Sequence, residues 1–213
     1  VLIFDQLTTA AQWQIEGERI SVQLPNVKFS NADAQGETQV KWQTSDAASS
    51  SGRSRWPGVL DAQGSLSRAN GARVHRYLPL VLDPRARDYV RDAVLAGTAT
   101  GVKFKVKGDL HDMPFADPRQ GEFRVAANVR DVTLAYVPRQ LQPPNAMPWP
   151  PLTQLSGELV LDRSSLLLKN VRSGVGVATG LKIVKGEAQI PDLGKATTVN
   201  VQAEARGPLA DLV

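Results

Sequence analysis

The side chains best suited to chemistry are two histidines and a few carboxylates. His75 and His111 lie in different contexts, and no Glu or Cys stands at a spacing that would complete a zinc site. His111 is followed by Asp112, so a histidine–carboxylate pair is formally available, but a loop residue exposed to water is the stronger reading. The acidic pairs Asp109/Asp112 and Asp83/Asp88 carry no sign of converging in a pocket. There is no cysteine, which removes thiol catalysis, disulfides and cysteine-ligated metals together. No G-x-S-x-G nucleophile elbow occurs. The run Gly174-Val175-Gly176-Val177-Ala178-Thr179-Gly180 is spaced G-x-G-x-x-x-G, and no helix with a downstream acidic partner follows it. Inside strand-like sequence it reads as a bulge or a close approach of strands. The expectation is a non-enzymatic protein without metal or cofactor.

The elements around these residues explain the chain better. Strict period-two alternation places apolar residues on one strand face and polar ones on the other. It runs through Ile20, Val22 and Leu24, through Val40 and Trp42, and through Val102, Phe104 and Val106 against Lys103, Lys105 and Lys107. A lysine row cannot be buried, so one side of that strand faces water, as antiparallel sheets allow. The row also suits an edge strand guarded against aggregation. Alternation continues through Phe123, Val125, Ala127 and Val129 and restarts with shifted parity at Val132, Leu134 and Tyr136. It returns at Leu159 and Leu161, at Leu166–Leu168 and over Val199–Ala205. Asp162–Ser165 is a polar hairpin turn.

One segment has a different period. Asp83-Pro84 is a helix start, with a capping side chain and then proline at the first helical position. Ala86, Tyr89, Val90, Ala93 and Val94 form one apolar face, and Gly97 suits the left-handed position beyond the end. The other face carries Arg85, Arg87, Asp88, Arg91 and Asp92, a face that water and internal charge pairs satisfy and that lipid headgroups would also suit. A helical turn is expected near 74–78. Strands ending in Gly-Xaa-Leu at Gly64, Gly108 and Gly207 suggest a loose repeat of strands, a glycine bend and a covering segment. The fold expected is mainly β: a curved, twisted antiparallel sheet, groove-like or half-barrel-like, with one amphipathic helix around 84–96.

With 213 residues, 42% apolar, the chain is long enough for a real core. It reads as a single fragment, 1–213, of a longer repetitive β protein, with a weak point in the serine-rich stretch 45–55. The net charge is +4 from 25 basic and 21 acidic residues spread along the chain. No basic run marks a nucleic-acid patch, so nucleic acid is not an expected partner. No apolar stretch approaches the ~20 residues that span a bilayer.

Several stretches taken in order resemble the YhdP group of the AsmA-like envelope proteins. They are Phe29-Ser30-Asn31-Ala32-Asp33-Ala34-Gln35-Gly36, Leu66-Ser67-Arg68-Ala69 through Arg76-Tyr77-Leu78-Pro79, Asp88-Tyr89-Val90 through Ala96-Gly97, and Gly108-Asp109-Leu110 through Pro114-Phe115. Gly121-Glu122-Phe123-Arg124-Val125, Val132-Thr133-Leu134-Ala135-Tyr136-Val137-Pro138 and Trp149-Pro150-Pro151-Leu152 complete the set. Two departures stand out: Arg139–Pro148 is inserted between Tyr-Xaa-Pro and Trp-Pro, and Met113 occupies an aromatic position. The resemblance implies the periplasmic portion of an inner-membrane-anchored protein of the Gram-negative envelope. It also implies a β-groove with an apolar interior and a role in moving phospholipids between the inner and outer membranes. On that reading the partners are phospholipid acyl chains, with both membranes reached through the rest of the full-length protein. The alternating apolar residues then become candidate groove lining: Val102, Phe104, Val106, Phe123, Val125, Val129, Val132, Leu134, Tyr136, Leu159, Leu161, Val199 and Val201. Taken singly, each is read first as part of an ordinary core covered by the helix around 84–96. The alternative function is a structural or protein-interaction module of the envelope that maintains the outer-membrane permeability barrier and binds partners through sheet edges.

Overall fold

The computed structural model describes residues 3–78, 84–176, 180–195 and 198–208. Alternating sequence becomes one antiparallel sheet of eleven strands. These are β1 (Gln6–Thr8), β2 (Gln12–Glu16), β3 (Arg19–Ser30), β4 (Ala34–Gln43), β5 (Val59–Asn70), β6 (Val94–Asp109), β7 (Gly121–Leu134), β8 (Leu152–Asp162), β9 (Ser165–Val175), β10 (Lys182–Ile190) and β11 (Asn200–Arg206). From β3 to β11 each strand pairs with the next in sequence, while β1 and β2 lie end to end along the outer side of β3. Among the described residues the sheet does not close, which leaves two free edges.

One helix, α1 (Pro84–Ala93), precedes β6, and a 3-10 turn over Gly71–Arg76 supplies the helical turn expected near 74–78. Pro84 is the first residue of the helix, whereas its expected cap Asp83 lies outside the described residues. The helix is shorter than the 84–96 expected, because β6 begins at Val94 with no loop between. Gly97 is therefore a strand residue and not a helix terminator. Its φ is +126°, and a Cβ there would sit 2.6 Å from Cγ2 of Val132 on β7.

The helix does not cover the sheet. It packs on the 3-10 turn and the start of β6, and only Ala93 is buried. Ala86 and Tyr89, on its expected apolar face, are exposed. Two further expectations change. The lysine-bearing strand β6 is interior, flanked by β5 and β7, so its lysines mark a wet face and not an edge. Gly64 does not bend the chain: it lies within β5, and a Cβ there would sit 2.7 Å from Cζ of Phe104. The missing side chain makes room for the ring next door.

The solvent-accessible surface is 13850 Å². A compact monomer of 23.0 kDa would expose about 9,600 Å². The excess of roughly 40% is the signature of a sheet with no second layer packed on it.

Candidate lipid-facing surface

Residues directly opposite on neighbouring strands project to the same face of a sheet. The register therefore assembles rows. One reads Val27, Thr38, Gly64, Phe104, Val125, Leu161, Leu166 and Ile190 across β3 to β10. A second reads Leu24, Val40, Ala62, Val106 and Phe123. A third reads Ala127, Leu159, Leu168, Ala188 and Val201. At a strand spacing of about 4.8 Å the first row runs about 34 Å, more than twice the ~15 Å that one leaflet contributes to a bilayer's apolar thickness.

The opposite face is charged and polar over β4 to β7, and Ala126, Val160 and Leu167 extend it as an apolar row over β7 to β9. Lys41, Asp61, Lys107 and Glu122 form one row, and Gln39, Gln63, Lys105, Arg124 and Asp162 another. Lys105 meets Glu122 at 2.6 Å and Arg124 meets Asp162 at 2.7 Å. The hydrogen bond from Lys105 to Glu122 raises the lysine's pKa. A trough of about 680 Å³ lies along β4 to β7, and this face supplies most of its lining, including Glu37, Gln63, Lys103, Lys105 and Arg124. Those ionic groups make it unsuited to an acyl chain, so the shape of the trough does not move the candidate surface from the apolar face.

The apolar face divides into a buried patch and an open field. Val132, Leu155 and Val171 are buried, with Val94, Val129, Leu134, Leu152 and Leu168 packed around them. The parity shift between Val129 and Val132 is a bulge, with Asp131 at φ 53°, which returns Val132 to the side of Val129. Phe104, Val106, Phe123, Val125, Leu159 and Leu161 are only half-buried. Toward the free edges exposure rises, to 71% at Trp13 and 63% at Val201.

Among the predicted lining residues, all but Tyr136 and Val199 lie on this face within paired strands. Val199 precedes β11 and is exposed. Tyr136 follows β7 and meets Trp149 edge-on, ring centroids 5.9 Å apart. Burial pushes its phenol pKa upward. Val22, Leu24, Val27, Val40 and Leu60 near one edge and Leu166, Leu168 and Ile190 near the other share this face, beyond the lining residues expected from sequence. Their alternation was itself the available signal.

The histidine–carboxylate pair is organised, but not for catalysis. The Ser51 hydroxyl donates a very short hydrogen bond to Asp112 and lies 3.1 Å from Nδ1 of His111. Asp112 approaches that same nitrogen, at 3.6 Å. A Ser–His–Asp relay needs serine and carboxylate on opposite ring nitrogens, so no proton can be passed along this set. Its effect is structural. Ser50 Oγ donates to Asp109 at 2.7 Å and Asp109 accepts from the His111 backbone N–H, which pins the serine-rich stretch to the end of β6.

The stretches that carried the resemblance mostly build strand ends. Asn31 Oδ1 accepts from the backbone N–H groups of Asp33 and Ala34, while its amide donates to Ile3 O and to the Tyr77 hydroxyl. Arg76 pairs with the buried Asp33, and Arg68 donates to the Asn31 and Ala32 carbonyls. Phe115 is fully buried beside Gly108 and Gly121.

The family described as YhdP protein matches residues 2–213. No curated protein and no solved structure matches.

Proposed function

We propose, from the premise that this chain belongs to the YhdP family, that its apolar sheet face shields phospholipid acyl chains as part of a lipid-conducting envelope protein. The observation that carries this reading is the continuous, half-open apolar face, backed over β4 to β7 by a face of charged and polar side chains. Water exacts about 0.8 kcal/mol per exposed CH₂, about 12 kcal/mol for a sixteen-carbon chain. A face that covers one side of the chain removes on the order of half of that cost. The rows cross many strands without an ionic side chain, so no single position need bind tightly and a chain can shift from strand to strand. The reaction chemistry required is none, and the family is not a known enzyme family. Location in the periplasm, as part of an inner-membrane-anchored protein, belongs to the same proposal. It agrees with the absence, among the described residues, of any helix long and apolar enough to cross a membrane.

The test is organic extraction of purified protein followed by mass spectrometry. Wild-type protein is expected to yield phospholipid. Phe104→Glu, which places a carboxylate in the middle of the longest row, is expected to yield little while keeping its far-ultraviolet circular dichroism. Repeatedly lipid-free wild-type protein, or full loading of folded Phe104→Glu, would sink the proposal and favour an envelope module acting through its sheet edges.

A further inference from the structure

We propose that the segment Arg139–Pro151 is, through its Met147–Pro151 end, a docking site for a partner protein that reads a polyproline II strand through an aromatic-lined groove. The segment holds the most exposed large apolar side chain among the described residues, Met147 at 89%, together with Leu141 at 67% and Trp149 at 56%. None of the three supports the sheet's buried patch.

Its backbone is set by proline. Pro143, Pro144, Pro148, Pro150 and Pro151 each fix φ near −65°. The residues before them, Gln142, Met147 and Trp149 included, are driven to extended or polyproline II conformations. Gln142, at φ −96° and ψ 147°, obeys this. Arg139–Leu141 is a 3-10 turn and Pro143–Ala146 a hydrogen-bonded turn, whereas Met147–Pro150 belongs to no helix or strand.

The loop is braced as well as stiff. Arg139 donates to the carbonyls of Pro144 at 2.6 Å and Ala146 at 3.1 Å. Gln142 is buried. Its amide donates to Val137 O and its Oε1 accepts from the Trp149 backbone N–H at 3.1 Å. At the far end Pro151 O accepts from the Gly176 N–H. A partner therefore meets a surface already ordered, which lowers the entropy cost of binding.

What the segment offers defines the partner. The carbonyls of Met147, Pro148, Trp149 and Pro150 accept no hydrogen bond among the described residues. Grooves that read polyproline II supply tryptophan and tyrosine rings for the proline faces, and donors for such carbonyls. The hydrocarbon core of a bilayer supplies no such donors, and free carbonyls are costly there. Between Asp131 and Glu158 the only charged residue is Arg139, which is turned onto carbonyls, so nothing here attracts anionic headgroups.

The experiment places the photoreactive residue p-benzoylphenylalanine at Met147 in the full-length protein, cross-links in intact cells and maps the adduct by mass spectrometry. The expected adduct is a protein peptide from an aromatic-lined groove. Pro148→Ala with Pro151→Ala should lower its yield at least about tenfold in protein that remains folded. A phospholipid adduct, no adduct, a peptide outside an aromatic groove, or a yield indifferent to the two proline changes would each overturn the proposal.

Discussion

Leu155 and Leu161 lie on one strand and one face, and truncating each to alanine separates a closed core from an open surface. Leu155 is 3% exposed and sits in the buried patch with Val132 and Val171. Its truncation removes apolar contact and leaves a cavity, which costs about 2–5 kcal/mol. Leu161 lies between Val125 and Leu166 in the longest row and is half-buried. Full burial of a leucine is worth about 1.5–3 kcal/mol, so half-burial puts Leu161→Ala near 1 kcal/mol, with no cavity term because water fills the space. For a chain of this size each kcal/mol moves the thermal midpoint by about 2–4 °C. Thermal unfolding of lipid-free protein should therefore show a loss of about 6–12 °C for Leu155→Ala, taking 3 kcal/mol, and about 2–4 °C for Leu161→Ala. Added phospholipid should raise the wild-type midpoint, since a ligand at a hundred times its Kd stabilises by about 2.7 kcal/mol. Leu161→Ala should blunt that rise. Equal destabilisation by the two truncations, with no response to lipid in either, would refute an open face and mean that Leu161 belongs to a sealed interior.

Two further outcomes concern the strand ends. Asn31→Ala leaves two buried backbone N–H groups, those of Asp33 and Ala34, without their acceptor. Chemical denaturation should report a loss of about 2–4 kcal/mol, at 1–3 kcal/mol for each stranded group allowing for partial relaxation. Burial pushes the Asp109 carboxyl up, but the His111 N–H and the Ser50 hydroxyl outweigh it, and its pKa lies below the ordinary value. A depressed carboxylate stabilises above its unfolded pKa, near 3.9, and that contribution is lost as pH falls through the folded value. Hydrogen exchange across residues 46–55 should thus accelerate selectively below about pH 4, beyond the intrinsic trend. At neutral pH Asp109→Asn should increase tryptic cleavage after Arg53 and Arg55, and unchanged cleavage would show that the pin does not hold the loop.

Much of the sheet is legible in alternation, because two faces in different solvents demand it. Lys103, Lys105 and Lys107 against Val102, Phe104 and Val106 declare both faces of β6, and the shift after Val129 declares the bulge at Asp131. The rest is hidden for identifiable reasons. Helical periodicity continues through Val94 and Gly97, yet pairing of Val94 with Leu134 captures those residues for the sheet. Gly64 resembles a bend until the ring of Phe104 is placed beside it. A lysine row cannot say whether its strand is central or peripheral, since the wet face is the same in either place. Helix 84–93 has an apolar stripe, but sequence does not show what that stripe meets, and here it leaves most of the sheet uncovered. Asn31, Asp33, Arg68, Arg76 and Tyr77 converge only in three dimensions, through groups up to 46 residues apart.

The strictly sequential strand order has a kinetic consequence. From β3 onward every strand pairs with the one before it, so the longest connection to be closed is Gly71–Ala93 between β5 and β6, which holds the 3-10 turn and the helix. Loop-closure entropy stays small at each addition, unlike the distant pairings that slow most all-β domains. A chain emerging from its N-terminus can lay each strand on a template already in place, and the growing edge stays exposed only until the next hairpin arrives. Cooperativity is then carried between neighbours, as in repeat proteins. Damage at one hairpin should loosen its neighbours first and leave distant strands standing.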